Sequence, residues 1–376
     1  MTRDILMQVL TVLSVAIPVS SFSSQLSMGK LGLQRSMRIV PRSFNSYKST
    51  LSMNSQATVL FDFDGTIGDT ETPAMQIAFW ELAPYFPSAE ANGVLPDETK
   101  YVQDNAGKAF EFMIEVVEKD RTDAGLVSIE DARGKENPSV MKVVNDKRKS
   151  FGLKTFDELI SESGSLPDLL MQQKDETVQA LSKVSQPNPG VSETLKTLKE
   201  LKVPFAIATT SPKPRVPVSI TSCGFDEYFP AGKVWSGESD FDPPRFKPDP
   251  SVYLLAAEKE SQAPEMCIAV EDSASGVGSA SNANIGLIVG YVGSSHIPPE
   301  KKDSHSEELM AGTRAENGRG AELVIMDFTD LISIVQEFQK SKDLGESAQQ
   351  LNERLLALRP TFTGSSWYNP KIFALA

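Results

Sequence analysis

Short apolar runs alternate with amphipathic segments along most of the chain, and this alternation predicts strands and helices in turn. Residues 57–61 (ATVLF), 203–211 (VPFAIATTS) and 266–272 (MCIAVED) have the length and apolar character of buried strands. Residues 191–202 (VSETLKTLKELK) and 328–341 have the apolar spacing of helices. Further strands are predicted at residues 233–237, 285–292 and 321–327, and further helices at residues 216–225, 250–260 and 275–284. Strands that alternate with helices indicate an α/β fold with a Rossmann-like parallel sheet covered on both faces.

The stretch from residue 73 to residue 185 has a different pattern. It holds apolar residues at helical spacing and few β-branched runs, and QPNPG at residues 186–190 ends it. This pattern predicts an all-helical insert whose middle, residues 118–140, is an added loop. Two later stretches carry no clear pattern: residues 295–320 are expected to form a polar surface loop, and residues 341–376 a tail of uncertain order.

These segments predict a chain of four parts. Residues 57–72 and 187–340 form the Rossmann-like core, residues 73–186 form a helical cap, and residues 341–376 form a C-terminal extension. Residues 1–56 form a presequence. Its apolar run at residues 5–18 is too short to span a bilayer and has the length of a signal-peptide core.

The rest of the presequence has the composition of a transit peptide. From Phe22 to Gln56 it is rich in serine, carries five Lys and Arg residues and contains no Asp or Glu. A signal peptide followed by a transit peptide resembles the bipartite presequences of proteins imported into complex plastids. We therefore expect a plastid location after removal of the presequence; the alternative is a plain signal peptide and the secretory pathway.

Composition excludes several classes of function. The chain has 376 residues, 40% hydrophobic and 23% charged, and a formal net charge of −13. An acidic globular protein has no bulk attraction for nucleic acid or for an anionic membrane. We therefore expect no nucleic-acid partner and no stable membrane association of the mature protein; nothing indicates an oligomeric state. Cys223 and Cys267 form no CxxC pair, and the two histidines lie in a polar stretch, so neither a zinc site nor a histidine-based triad is expected.

Polar side chains follow three of the predicted strands. Asp62 and Asp64 follow the first, Thr209 and Thr210 end the second, and Glu271 with Asp272 end the third listed above. Ligands of open α/β sheets bind beyond the carboxyl ends of the strands. Carboxylates that meet there need a cation, and Mg²⁺ is the divalent ion that such a small set of oxygen ligands favours.

The same edge has the groups for handling a phosphoryl group. Lys247, in RFKPDP, adds a positive charge, and the hydroxyls of Thr209 and Thr210 add neutral donors. An aspartate beside a metal can act as a nucleophile, and a second aspartate two residues later can transfer protons. Together these groups predict a pocket for a phosphoryl group.

Four segments in this order resemble the motifs of the haloacid dehalogenase-like phosphohydrolases: FDFDGTIGDTE, IATTS, FKPDP and VEDSASGV. The resemblance implies that Asp62 is the nucleophile and Asp64 the general acid and base. It implies that Thr209 holds a phosphate oxygen and that Lys247 steadies both nucleophile and phosphate. Mg²⁺ would be bound by Asp62, by the backbone carbonyl of Asp64 and by Asp272. Glu271 would be a further ligand or a partner of the ligands.

The helical insert after the first motif resembles the subgroup that includes β-phosphoglucomutase, phosphoglycolate phosphatase and the CbbY-like phosphatases. Lys108 in the cap and Arg245 before the third motif are candidates for contact with the substrate, the alternative being solvated lysine and arginine side chains. The resemblance implies a Mg²⁺-dependent phosphatase of a small metabolite such as a sugar phosphate or bisphosphate. The alternatives are a sugar phosphomutase, against which Thr66 weighs slightly, and a catalytically idle binding protein, against which the intact Asp62 and Asp64 weigh.

Overall fold

A computed structural model describes residues 56–105 and 110–373. The predicted presequence lies outside the described residues, apart from Gln56, so its function and the plastid location stay predictions. Within the described ranges, no helix combines the length and the apolar character needed to cross a membrane.

Seven of the strands in the described residues form one sheet in the order β5-β4-β1-β6-β7-β8-β9. Neighbouring strands are parallel except β9, which runs antiparallel to β8. The strands are β1 (Thr58–Phe61), β2 (Gly68–Asp69), β3 (Gln186–Pro187), β4 (Phe205–Thr209), β5 (Val234–Ser236), β6 (Cys267–Glu271), β7 (Leu287–Tyr291), β8 (Leu323–Ile325) and β9 (Ser366–Tyr368). The predicted strands of the core are confirmed, and the antiparallel edge strand β9 is an addition to them.

Helices cover both faces of the sheet because successive strand residues point to opposite sides. Val59 and Phe61 of β1 belong to one apolar cluster and Leu60 to another. The helices that follow the insert are α9 (Val191–Glu200), α10 (Arg215–Ser222), α11 (Ser251–Lys259), α12 (Ala274–Asn282), α13 (Lys302–Ala311), α14 (Leu331–Asp343), α15 (Ala348–Leu358) and α16 (Pro370–Phe373). The first cluster includes residues of α9, α10, α14 and α15, and the second includes residues of α11, α12 and α13.

The insert between β2 and β3 is helical, as predicted. Its helices are α1 (Glu71–Leu82), α2 (Pro87–Asn92), α3 (Glu98–Asn105), α4 (Phe110–Asp123), α5 (Ile129–Ala132), α6 (Pro138–Ser150), α7 (Phe156–Ser163) and α8 (Leu169–Val184). They enclose an apolar cluster of their own, which contains Phe79, Tyr85 and Val144. The chain enters and leaves this region through β2 and β3, which pair with each other in antiparallel orientation. The α/β class with an inserted all-helical part is therefore confirmed, whereas the exact domain limits stay a prediction.

Residues 118–140, predicted to be an added loop, are largely helical. Helix α4 continues to Asp123, α5 begins after Ser128, and α6 begins after Asn137. The side chains of Ser128 and Asn137 each accept a hydrogen bond from a backbone N–H of the helix that follows. The prediction was wrong because most residues of this stretch are exposed, so its helical parts show little apolar periodicity.

Residues 295–320 do not form a simple surface loop. They contain a 3₁₀ turn and then α13, whose Leu309 and Met310 are buried against the sheet. The C-terminal tail is also built into the fold. A capping box between Ser347 and Gln350 starts α15, and β9 closes the edge of the sheet.

Candidate active site

Three strand ends meet at one edge of the sheet. Phe61, the last residue of β1, pairs with Ile207 of β4 on one side and with Val270 of β6 on the other. Asp62 therefore lies between the ends of β4 and β6, which carry Thr209 and Glu271. The prediction that these segments bring their polar groups to one place is confirmed by the register of the strands.

Lys247 is the cation at the centre of this edge. Its Nζ donates to Asp62 Oδ1 at 2.5 Å and to Glu271 Oε1 at 2.6 Å, and its side chain is buried. Burial alone would lower the pKa of Lys247, but the two carboxylates outweigh it and raise that pKa. Lys247 is therefore held as an ammonium ion.

The carboxylates of Asp62, Glu271 and Asp272 form one buried cluster, which we call the strand-end cluster. One oxygen of each lies within 4.8 Å of the others. Burial raises the pKa of Asp62 to about 7, because Lys247 only partly offsets burial and the neighbouring Glu271. Burial, followed by the charges of Asp62 and Glu271, also raises the pKa of Asp272 well above its ordinary value. The cluster thus has three carboxylates and one ammonium ion, which pairs with Asp62 and Glu271 but not with Asp272, so the cluster can accept a further cation.

The surroundings of Asp272 suit a small ion. Its Oδ1 accepts a hydrogen bond from Thr66 Oγ1 at 3.0 Å. Gly65, with φ of +82°, passes so close that a Cβ there would overlap the Asp272 carboxylate and lie 2.9 Å from Cε1 of His296. Only glycine fits this turn, and its missing side chain keeps the space beside Asp272 open.

Glu271 faces away from the open side of the site. Its Oε1 accepts from Lys247 and, at 2.5 Å, from the hydroxyl of Tyr253. Gly276 of α12 packs directly against this carboxylate, where a Cβ would overlap it. Glu271 is not among the residues that line the adjoining cavity. Its geometry is that of a partner that holds Lys247.

Asp64 lies on the other side of Asp62 and is partly buried. Ser211 Oγ donates to its Oδ2 at 2.6 Å, and Thr70 Oγ1 donates to its Oδ1 at 2.6 Å. Arg215 at the start of α10 donates to Oδ1 at 3.0 Å. Burial would raise the pKa of Asp64, but Arg215 and the hydroxyl donors outweigh it and lower that pKa. In this arrangement Asp64 is an ionised carboxylate.

All of these strand-end groups except Glu271 open on a cavity of about 1220 Å³. Its lining includes Asp62, Asp64, Thr209, Thr210, Lys247 and Asp272. The inserted helices contribute a second wall, with Met75, Phe110, Gln173, Lys174 and Thr177 among its residues. The cavity therefore lies between the sheet edge and the helical insert.

Of the two further candidates for substrate contact, the described residues include only Arg245. Lys108 lies outside the described residues. Arg245 is half-exposed, its nearest acidic partner is Asp249 at 3.6 Å, and it is not part of the cavity wall. The third-motif loop thus directs Lys247 inward and Arg245 outward.

Several residues of the site were missed by the sequence reasoning. Arg215 follows Ser211 by only four residues, and this closeness to the second motif could have revealed it. His296 and His305 lay in a segment assigned to a surface loop, yet both line the cavity. Burial, with a smaller effect of His305, lowers the pKa of His296 to about 4. Lys301 and Arg314 of the same segment also reach the cavity wall.

Known proteins show similar sequences over part of the chain. A protein from Thermotoga maritima described as a phosphorylated carbohydrates phosphatase is 31% identical over 145 residues, which cover 38% of this chain and 63% of that protein. A CBBY-like protein from Arabidopsis thaliana is 32% identical over 122 residues, covering 32% of this chain and 37% of that protein. The matches thus span 63% and 37% of the lengths of these relatives.

A solved structure has the same fold. A conserved haloacid dehalogenase-like protein of unknown function from Agrobacterium tumefaciens superposes with a TM-score of 0.50 and 21% sequence identity, over 75% of this chain and 98% of that one. A sequence model of the hydrolase family described as haloacid dehalogenase-like matches residues 56–284, which is more than half of the 376-residue chain. The chain therefore belongs to the haloacid dehalogenase-like hydrolases.

Proposed function

We propose that this protein is a Mg²⁺-dependent phosphatase that hydrolyses a small phosphorylated carbohydrate through an aspartyl-phosphate on Asp62. The observation that carries the proposal is the strand-end cluster, in which three buried carboxylates lie within 4.8 Å of one another beside a large cavity and Lys247 pairs with only two of them, Asp62 and Glu271. A dianionic phosphoryl group could not bind beside this much negative charge without a further cation.

The residues present fit Mg²⁺. The carboxylates of Asp62 and Asp272 and the backbone carbonyl of Asp64 would hold it, since Mg²⁺ prefers oxygen ligands. When bound, Mg²⁺ would supply positive charge that stabilises the phosphoryl group during its transfer. Lys247, which pairs with Asp62, would supply a second positive charge.

Asp62 would act as the nucleophile. Lys247 forms an ion pair with Oδ1 of Asp62. The other carboxylate oxygen of Asp62, Oδ2, would attack phosphorus. A bond forms between this oxygen and phosphorus as the bond from phosphorus to the substrate alcohol breaks. Thr209 and neighbouring backbone N–H groups would hold the phosphoryl oxygens during the transfer.

Asp64 would move the protons. Asp64 is ionised in the arrangement described above, so it would first take up a proton as the substrate binds and then donate it to the alcohol oxygen as that group leaves. It would then take a proton from the water that attacks the phosphorus of the aspartyl-phosphate. The second step releases inorganic phosphate and regenerates Asp62.

The substrate class is inferred from the cavity and from the relatives. The cavity of about 1220 Å³ exceeds the roughly 300–1,000 Å³ of most small-molecule sites, so a sugar phosphate or bisphosphate has room. The name of the Thermotoga relative, a phosphatase of phosphorylated carbohydrates, agrees with this class.

The proposal is tested by phosphate release from a panel of phosphorylated sugars, with Mg²⁺ and with EDTA. We expect Mg²⁺-dependent release by the wild type, none by Asp62→Asn, and a covalent phosphoryl group on Asp62 after acid quenching of turnover. Activity that survives in Asp62→Asn would overturn the nucleophile. Exchange between sugar-phosphate isomers without phosphate release would favour a mutase instead, and binding without either reaction would favour an idle relative.

A further inference from the structure

Residues 294–320, which we call the strap, cross the open side of the strand-end cluster. The strap leaves the end of β7, forms a 3₁₀ turn and α13, and returns to β8. It carries both histidines of the chain, His296 and His305. Both histidines contact the same residue, Asp272.

His305 holds the main chain of Asp272. Its Nε2 lies 2.6 Å from the backbone carbonyl oxygen of Asp272. A carbonyl oxygen can only accept a hydrogen bond, so Nε2 carries the hydrogen. The other ring nitrogen, Nδ1, faces the carboxylate of Glu308 at 3.5 Å, one turn further along α13. The imidazole thus connects α13 to the backbone from which the Asp272 carboxylate projects.

His296 faces the carboxylate itself. Its Nε2 lies 3.4 Å from Asp272 Oδ2, while its Nδ1 lies 2.7 Å from Ser294 Oγ. The opposite oxygen, Oδ1, accepts from Thr66 Oγ1. Asp272 is therefore contacted at both carboxylate oxygens and at its carbonyl oxygen, and the strap supplies two of these three contacts.

The C-terminal extension fastens the strap to the sheet. Trp367 of β9 donates its Nε1–H to Asp303 Oδ1 at 3.0 Å, at the start of α13. Asn369 donates through Nδ2 to the carbonyl oxygens of Met310 and Ala321, each at 2.9 Å. The two ends of α13 and the return of the strap to β8 are thus tied to the segment that closes the edge of the sheet.

We propose that His305 and His296 are positioning residues that hold Asp272 in the orientation required for metal binding, and that the C-terminal extension anchors the strap that carries them. The inference rests on the proposed function, since it concerns the metal that the phosphatase would use. Groups that hydrogen-bond to metal ligands fix the direction in which those ligands point, and their loss typically weakens metal binding by about 10- to 100-fold.

The test is the dissociation constant of Mn²⁺ for the full chain without substrate, measured by electron paramagnetic resonance. We expect His305→Leu to weaken Mn²⁺ binding by about tenfold or more. His305→Gln keeps an N–H donor at a similar reach. Its affinity for Mn²⁺ is expected to stay within about threefold of the wild-type value, a much smaller loss than the roughly 10- to 100-fold expected when the donor is removed. Glu307→Gln, an exposed change on the same helix, is the matched control and should leave the affinity unchanged.

Melting temperatures in EDTA separate positioning from folding. His305→Leu and His305→Gln are expected to melt alike without metal and to differ only in their affinity for Mn²⁺. Equal affinity in the wild type and in both variants would overturn the inference. An equal loss in both variants would also overturn it, because the N–H donor would then not matter.

A second variant tests the anchor. Trp367→Phe keeps the ring packing of β9 and removes the N–H that reaches Asp303, so we expect a smaller but measurable loss of Mn²⁺ affinity. Wild-type affinity in Trp367→Phe would remove the C-terminal extension from the proposal.

If the wild type binds Mn²⁺ and His305→Leu does not, yet no phosphate is released from any sugar phosphate, the proposed reaction fails while the positioning role stands. A wild type that binds no Mn²⁺ overturns both.

Discussion

Two buried clusters of carboxylates among the described residues each contain one cation, and they differ in how their charge is balanced. In the strand-end cluster of Asp62, Glu271 and Asp272, the ammonium ion of Lys247 pairs with Asp62 and Glu271. In the helical insert, which contains the second cluster, Glu81 and Glu176 share the guanidinium of Arg148. We call this second set the helical cluster.

The helical cluster is nearly saturated by its own residues. Arg148 donates to Glu81 through Nη1, to Glu176 through Nη2 at 2.5 Å, and to the carbonyl oxygen of Lys154 through Nε at 2.7 Å. Gln172 donates to the second oxygen of Glu81 at 2.7 Å. Burial and then the neighbouring Glu176 raise the pKa of Glu81 well above its ordinary value, so one proton suffices to balance the charge.

The strand-end cluster has one more carboxylate and opens on the cavity, whereas none of the helical cluster's three charged residues lines it. A buried carboxylate is therefore no sign of chemistry by itself in this chain. What distinguishes the strand-end cluster is an excess of negative charge together with access to a ligand.

The largest expected effect follows from removing the cation of the strand-end cluster. Lys247→Met removes the buried cation that pairs with Asp62 and Glu271, so we expect about 3–5 kcal/mol less stability and a kcat/KM lower by about 10²- to 10³-fold. Mg²⁺ should restore much of the stability, because the cation can take the place of the lost charge. Chemical unfolding with Mg²⁺ and with EDTA measures this; a stability that does not respond to Mg²⁺ would contradict the account.

Removing the cation of the helical cluster should affect folding alone. Arg148→Met is expected to cost about 3–5 kcal/mol of unfolding free energy, since Glu81 and Glu176 lose their buried partner. Because the cluster does not reach the cavity, kcat/KM at a temperature where the variant is folded should be that of the wild type, and Mg²⁺ should not rescue the stability. Glu81→Gln is the matched control and should cost far less, since the neutral form of Glu81 is already favoured. A similar loss in both variants would argue that shape rather than charge is decisive.

The next largest effect is expected in the pH dependence of metal binding by the strand-end cluster. The pKa of Asp62 is raised to about 7 and that of Asp272 is also raised, so protons compete with the metal at low pH. Mg²⁺ affinity should therefore rise with pH by up to about tenfold per pH unit for each proton released, until both carboxyls are ionised. In EDTA, the contribution of Asp62 to stability is present below its ordinary pKa near 3.8 and is lost as pH rises through about 7, because the folded state binds the extra proton. Calorimetric titrations at several pH values test the rise; an affinity independent of pH would contradict it.

The smallest expected effect concerns Asp64. Arg215 lowers the pKa of this carboxyl, so Arg215→Leu should raise that pKa. Hydrolysis of the aspartyl-phosphate needs ionised Asp64. As the pH is lowered, the rate of this step should therefore fall at a higher pH in the variant than in the wild type. Single-turnover dephosphorylation across pH measures the shift. Arg245→Leu, which removes an arginine outside the cavity, should leave the profile unmoved.

The sequence predicted the strand-end cluster well because its signals are local. Each apolar run that becomes β1, β4 or β6 is followed at once by its polar residue, and parallel strands bring such ends together. Lys247 was predicted from its motif, although nothing in the sequence indicated that Arg245, two residues earlier, would face Asp249 instead of the cavity.

The strap and the C-terminal extension could not be predicted in the same way. In the strap, polar residues outnumber the apolar anchors Leu309 and Met310, so its helix α13 lacks a continuous apolar face. Its position over Asp272 depends on contacts with Trp367 and Asn369, more than 50 residues further along the chain. The burial of Arg148 could not be predicted from the sequence either, because its partners Glu81 and Glu176 are distant in sequence and charged residues are usually exposed.

The most direct test of the difference between the two clusters is the binding of Mg²⁺ by isothermal titration calorimetry. We expect one ion per chain in the wild type, loss of that binding in Asp272→Asn, and wild-type binding in Glu81→Gln. Each variant replaces one buried carboxyl by an amide of the same shape, so only the position of the carboxyl differs. Retained binding in Asp272→Asn, or its loss in Glu81→Gln, would contradict the assignment of the metal to the strand-end cluster.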